Sequence, residues 1–171
     1  MGPDAIAIQL VHEGNSESAI RFLTELVSDG EAEARRYLAD HAEPEGTCLI
    51  ATTGSDAVGY VAIVWESNYA GFRNRGIPLV HQVAVSEPWR RRGVATLIDA
   101  AEHLARDRGI ATLGITVGLF DEYGPAHRMY AGRGYIPDGR GARQGQLPLS
   151  KGIQVSMDHD LIIWLTKDLV S

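Results

Sequence analysis

The sequence predicts a single α/β domain spanning residues 1–171, and three observations carry that reading. Short apolar runs rich in Val, Ile and Thr alternate with segments whose apolar residues follow a helical period. A chain of 171 residues, 44% apolar and 22% charged, is long enough and apolar enough to bury one ordinary hydrophobic core. No internal repeat, coiled-coil heptad or linker-like stretch divides it.

Residues 6–11 read as an opening strand. Residues 17–27 and 31–41 read as helices parted by Ser28-Asp29-Gly30, with Ile20, Leu23, Leu26 and Val27 on one face of the first. Residues 47–53 and 57–65 form two strand-like runs around Gly54-Ser55-Asp56, a hairpin signal. Residues 67–76 are polar with two glycines and read as a long, mobile loop. A strand over 79–85, a helix over 94–108 and a strand over 111–119 follow. Pro125 suits the first turn of a short helix ending at Gly132. The Gly- and Arg-rich stretch 139–151 reads as a loop or a strand pair with a long excursion, and 161–165 is a final apolar strand. The expected architecture is a sheet of about six to seven strands flanked by about four helices.

Composition narrows the function classes. A net charge of −6 argues against a protein devoted to phosphate backbones, so no nucleic-acid partner is expected. The basic charge is mostly Arg, part of it gathered in Arg90-Arg91-Arg92 and between Arg128 and Arg143, an island that suits a small anionic ligand. No apolar run approaches the roughly 18 residues of a membrane span, and no basic segment followed by an apolar stretch marks a secretion signal. With Cys48 alone, no internal disulfide is available. Cytoplasmic residence is the expectation, with Cys48 a small core residue beside Leu49 and Ile50 rather than a nucleophile.

The most informative stretch is residues 79–109, LVHQVAVSEPWRRRGVATLIDAAEHLARDRG. A strand ends at Val85, turns through Glu87-Pro88-Trp89, and feeds a helix expected to start near Gly93. A glycine there lets a ligand approach the main chain. The free N–H groups of the first turn, the helix dipole and the arginines then make an anion site that suits a pyrophosphate. The plainer alternative is a solvated Arg-rich turn. Neither a G-x-x-x-x-G-K-S/T loop nor a G-x-G-x-x-G turn is present.

Arg90-Arg91-Arg92-Gly93-Val94-Ala95 resembles the signature Q/R-x-x-G-x-G/A of the GNAT superfamily of acetyltransferases, and it lies between a strand and a helix as that family requires. Residues 123–135, YGPAHRMYAGRGY, resemble the second hallmark, A-x-x-L/M-Y-x-x-x-G-F/Y. Residues 135–141 and 157–167 resemble a bacterial subgroup whose closing strand reads D-x-D-L-x-L-x-x-T-K. The likeness is strong over 79–141 and the tail, and merely compatible over the first 78 residues.

The resemblance implies a mixed central sheet, acetyl-coenzyme A as co-substrate without a metal, and transfer of the acetyl group to an amine by direct attack. On that pattern Val83, Ala84 and Val85 lie along the pantetheine arm. The N–H groups of Arg91, Arg92, Gly93, Val94, Ala95 and Thr96 cradle the pyrophosphate. Arg90 reaches a phosphate or solvent, and the Thr96 hydroxyl contacts the ligand or its own helix. Tyr130 matches the general acid that protonates the departing thiolate; a phenol packed in the core is the alternative. Tyr123 stands where members often carry an Asn, and with Ala126 it would border the coenzyme.

For the proton acceptor, the acidic positions common in the family are here His81 and Gln82. His81 as base competes with a structural role, with Glu66, Asp121 and Glu122, and with a chain of waters. The family places the acceptor between the early helices and later loops, which points to Glu66, Tyr69, Phe72 and Arg73 and to residues 139–151. The resemblance also admits a homodimer. A non-catalytic acyl-coenzyme A sensor of the same fold is the alternative function, disfavoured by the retained Tyr130.

Overall fold

The computed structural model describes residues 5–169. Its sheet comprises β1 (Ala7–Leu10), β2 (Gly46–Thr53), β3 (Asp56–Val64), β4 (Leu79–Val85), β5 (Thr112–Gly118), β6 (Ile136–Gln144), β7 (Leu147–Pro148) and β8 (Leu161–Asp168). The spatial order of these eight strands is β1-β2-β3-β4-β5-β8-β6-β7. Neighbours are antiparallel except β4 and β5, which are parallel. Five helices accompany them among the described residues: α1 (Ser16–Leu26), α2 (Glu31–Asp40), α3 (Ala70–Arg73), α4 (Arg90–Asp107) and α5 (Gly124–Gly132).

The two faces of the sheet follow the period-two alternation of the strands. Cys48, Ile50, Tyr60 and Ala62 point to one face, where α1 and α2 supply Ala19, Phe22, Leu23 and Ala34. Their neighbours Leu49, Ala51, Val61 and Ile63 point to the other, where α4 supplies Leu97, Ile98, Ala101 and Ala105. Of the stripe Ile20, Leu23, Leu26 and Val27, the first two are buried as expected, whereas Leu26 is 50% exposed and Val27, just past the helix end, is only partly buried.

One stretch departs from expectation, and a second takes the strand-pair alternative read for it. Residues 67–76 are not a mobile loop: they carry α3, and Tyr69, Phe72 and Ile77 are buried. The indole of Trp164 on β8 stacks on Tyr69 at 4.0 Å and meets Phe72 edge-on at 5.1 Å. Phe72 fits because Gly114 lies beneath it, where a Cβ would fall 2.0 Å from its ring. The stretch 139–151 is a hairpin, and its first strand begins earlier, at Ile136. With few apolar residues and an exposed face, β6 has almost no hydrophobic pattern to reveal it; pairing with β8 holds it.

One buried charge ties the helices to the sheet. The Glu102 carboxylate on α4 accepts hydrogen bonds from Lys167 Nζ on β8 at 2.8 Å and from the Tyr135 hydroxyl at 3.1 Å, with Arg106 at 3.6 Å and Arg133 at 3.9 Å. Arg133 also pairs with Asp99. These contacts satisfy a carboxylate that is almost wholly removed from water.

Candidate active site

The parallel pair is short. β4 meets β5 only at Leu79↔Gly114 and Val80↔Ile115. β5 then runs on beside β8 to Gly118, while β4 stays with β3 to Val85. The strands thus part after Val80, and the β5-facing edge of residues 81–85 has no strand partner. Unpaired backbone N–H and C=O groups along such an edge will accept an extended ligand as they would a strand.

A β-bulge marks the parting point. Ala62 is opposite Gln82 and Ile63 opposite Val80, so His81 is the extra residue. The bulge reconciles the side chains: Val80, Val83 and Val85 all pack on the α4 face, which unbroken alternation forbids. It also turns His81 toward α2, where its Nδ1 lies 3.4 Å from the Tyr37 hydroxyl. Gln82, half-buried beside Ala62, takes no part in the cavity described below.

Where β4 ends, the chain makes a 3-10 turn (Glu87–Trp89) and α4 begins at Arg90, three residues before the expected Gly93. The first turn is therefore Arg90 to Gly93, and Val94, Ala95 and Thr96 lie within the helix. The Thr96 hydroxyl donates to the Arg92 carbonyl at 2.7 Å. Gly93 has a packing reason: a Cβ there would sit 2.7 Å from Cγ1 of Val85. Its absence brings the helix start against the end of β4. Arg90, Arg91 and Arg92 are exposed, with the Arg92 guanidinium 5.0 Å from the Trp89 ring centre. Three cations without an acidic neighbour in that first turn reinforce the positive end of the helix dipole.

Tyr123, at the turn into α5, and Ala126 and Tyr130 on the helix pack on the α4-side core. Tyr130 is buried, and its hydroxyl makes no hydrogen bond among the described residues. Burial, with a smaller contribution from Tyr123, pushes its pKa up to about 12. The ring of Tyr123 lies over Gly118, where a Cβ would fall 2.2 Å from it, and its hydroxyl bonds His159 Nδ1 at 2.7 Å. Asp121 and Glu122 are exposed on the turn into α5 and do not line the cavity.

A cavity of about 980 Å³ opens at the start of the parting, with His81 and Leu79 in its wall. The end of α2 contributes Asp40 and His41, the segment after β3 contributes Trp65 to Tyr69, and Arg73, Gly145, Gln146 and Trp164 complete the far side. Glu66 is an exposed carboxylate in that wall, whereas the Tyr69 hydroxyl is committed to Asp138 Oδ2 at 2.8 Å. Phe72 lies beneath the wall in the aromatic stack. His81 opens onto the cavity, yet the protein around its ring strips enough water to lower its pKa, and His41 adds repulsion.

His41 has no counterpart in the sequence reading. Its only local sign is a His one turn after Tyr37 at a helix end. Cys48 is buried, and loss of hydration raises its thiol to about 11, so it remains a protonated core residue.

A mixed sheet parted beside its one parallel pairing, with a helix starting at the end of the parted strand and a buried tyrosine on the next helix, has the architecture of an acetyltransferase domain. Residues 13–135 match the model of the acetyltransferase (GNAT) family. This chain belongs to that family.

Solved structures agree in fold. Aminoglycoside 6'-acetyltransferase type Ii is 14% identical, with a TM-score of 0.70 over 96% of this chain and 98% of that one. A GNAT family acetyltransferase from Elizabethkingia anophelis with acetyl-CoA bound is 14% identical, with a TM-score of 0.62 over 96% and 99%. The ribosomal-protein-S18-alanine N-acetyltransferase from Escherichia coli is 13% identical, with a TM-score of 0.68 over 98% and 96%. Identities this low establish likeness of fold alone. No curated protein matches the sequence significantly. No helix among the described residues is long and apolar enough to cross a membrane.

Proposed function

We propose that this protein transfers the acetyl group of acetyl-coenzyme A to a primary amine held in the cavity, by direct attack while both substrates are bound. The observation that carries the reading is the unpartnered edge of β4, which runs from the cavity wall at His81 to the start of α4 at its other end. Along that edge residues 83–85 would hydrogen-bond the pantetheine arm. The first-turn N–H groups and Arg90 to Arg92 would take the pyrophosphate. Tyr123 and Ala126 would border the same gap from α5.

Tyr130 is the general acid in this reading. A phenol raised to about 12 keeps its proton throughout the neutral range and does not release it ahead of the reaction. It donates as the carbon–sulfur bond breaks, and it is reprotonated by the proton that the amine sheds. The products are the acetylated amine and the free thiol of coenzyme A, and Tyr130 returns to its starting state.

The cavity favours a cationic acceptor. Asp40, Glu45 and Glu66 line it against a single arginine, Arg73. The test is a panel of polyamines, aminoglycosides, amino acids and peptide N-termini, assayed with acetyl-coenzyme A for thiol release. Release above the amine-free rate with a cationic member is expected. Tight coenzyme binding with no release for any amine would instead mark a non-catalytic acyl-coenzyme A sensor.

A further inference from the structure

We propose that His41, rather than His81, receives the proton of the attacking amine, at Nε2. The proposal rests on the acetyl-transfer reading above and adds the missing base to it. His41 and His81 stand side by side in the cavity wall, with ring centres 4.8 Å apart. What separates them is the hydrogen bond each makes at Nδ1.

The Nδ1 of His41 lies 2.7 Å from the backbone carbonyl oxygen of Tyr37. A carbonyl can only accept, so Nδ1 must carry the hydrogen. In the neutral ring that leaves Nε2 bare, as an acceptor on a ring that lines the cavity. His81 is a different case. Its Nδ1 faces the hydroxyl of Tyr37 at 3.4 Å. A hydroxyl both donates and accepts, so this long contact fixes the hydrogen on neither ring nitrogen of His81. Tyr37 thus touches both rings, but only its carbonyl fixes a tautomer.

The surroundings of His41 suit the task. The Tyr37 ring packs against it at 4.2 Å, tilted by 32°, and the Cys48 thiol donates to its carbonyl at 3.3 Å. Both Cys48 and the nearby Tyr60 are held protonated by burial. The charged groups of the same wall are Asp40 on α2, Glu45 before β2, Glu66 after β3 and Arg73 on α3. As the amine nitrogen bonds to the thioester carbon, its N–H proton passes to His41 Nε2. The carbon–sulfur bond then breaks, and sulfur takes the Tyr130 proton. The proton held on His41 then passes through water to the Tyr130 phenolate, so both residues end as they began.

The first test needs neither substrate nor variant activity. In protein labelled with ¹⁵N-histidine, long-range proton–nitrogen correlation near neutral pH should show His41 as the Nδ1–H tautomer. His41→Asn and His81→Asn identify the peaks by their loss. His41 found as Nε2–H would overturn the proposal.

The second test is kinetic, with an amine from the panel. His41→Asn keeps a side-chain N–H for the Tyr37 carbonyl. It should lower kcat about 100-fold or more and leave acetyl-coenzyme A affinity unchanged. His81→Asn should lower kcat far less. A wild-type kcat in His41→Asn, or the larger loss in His81→Asn, would refute the assignment. Failure of the wild type to release thiol with any amine would sink the acetyl-transfer reading, and the tautomer spectrum would still decide the state of His41.

Discussion

The two sides of the parted sheet are built from different material. On the side proposed for the coenzyme the groups on offer are mostly main chain: the free edge of residues 81–85 and the first-turn N–H groups of α4. On the cavity side they are side chains, namely two imidazoles, three carboxylates, an arginine and two indoles, drawn from five separate parts of the chain. Main-chain recognition constrains sequence through sterics and spacing, so it leaves a compact local motif. Side-chain recognition leaves nothing local, because its members meet only in the fold. A ligand common to a whole family suits the first construction, and an acceptor that differs between members suits the second.

The largest expected effect tests whether main-chain binding is enough for turnover. Tyr130→Phe should lower kcat by roughly 10²- to 10⁴-fold while coenzyme affinity, measured by calorimetry, stays within a few-fold of wild type. Because burial raises this phenol to about 12, no alkaline fall in wild-type rate below about pH 10 should vanish in the variant. Wild-type kcat in Tyr130→Phe would remove the general acid from the mechanism.

Glu102→Ala comes next and separates scaffold from site. It leaves Lys167 and Tyr135 without their partner, so urea unfolding should show a loss of about 3–5 kcal/mol. A loss under about 1 kcal/mol, the range of an exposed pair, would mean that the carboxylate is not the anchor between α4 and β8.

The smallest effect sharpens the coenzyme side. Gly93→Ala places a methyl group against Val85 and should cost about 1–3 kcal/mol through overpacking. Adding Val85→Ala should relieve part of that cost in a double-mutant cycle, a non-additivity read from the same unfolding curves. Strict additivity would show that the close approach of helix and strand is not what requires the glycine.

Much of this fold was legible because burial imposes periodicity. Ile20 and Leu23 on α1 marked an inward face directly, and the turn signal at Gly54-Ser55-Asp56 marked the β2–β3 hairpin. The parting of the sheet was half visible: Val80, Val83 and Val85 break strict alternation by one residue, the trace of the bulge at His81. Gly93 was visible as a glycine, but its reason, the methyl of Val85, lies in tertiary packing. The buried segment around α3 looked like a polar loop because Phe72 depends on Gly114, and Tyr69 on Trp164, partners far along the chain. His41 escaped notice because its value comes from the Tyr37 carbonyl and from His81 across the wall, neither of which a linear reading brings near.

The place of β8 in the sheet has a consequence for synthesis. Residues 161–168 insert between β5 and β6, which both precede them. As the chain emerges from the ribosome, β1 to β5 can assemble while the β6–β7 hairpin waits for the strand that joins it to them. The open edge of β5 then stays available to any other extended chain until the last strand arrives and closes it. The nascent protein is thus most exposed to mispairing late, with most of the sheet already in place.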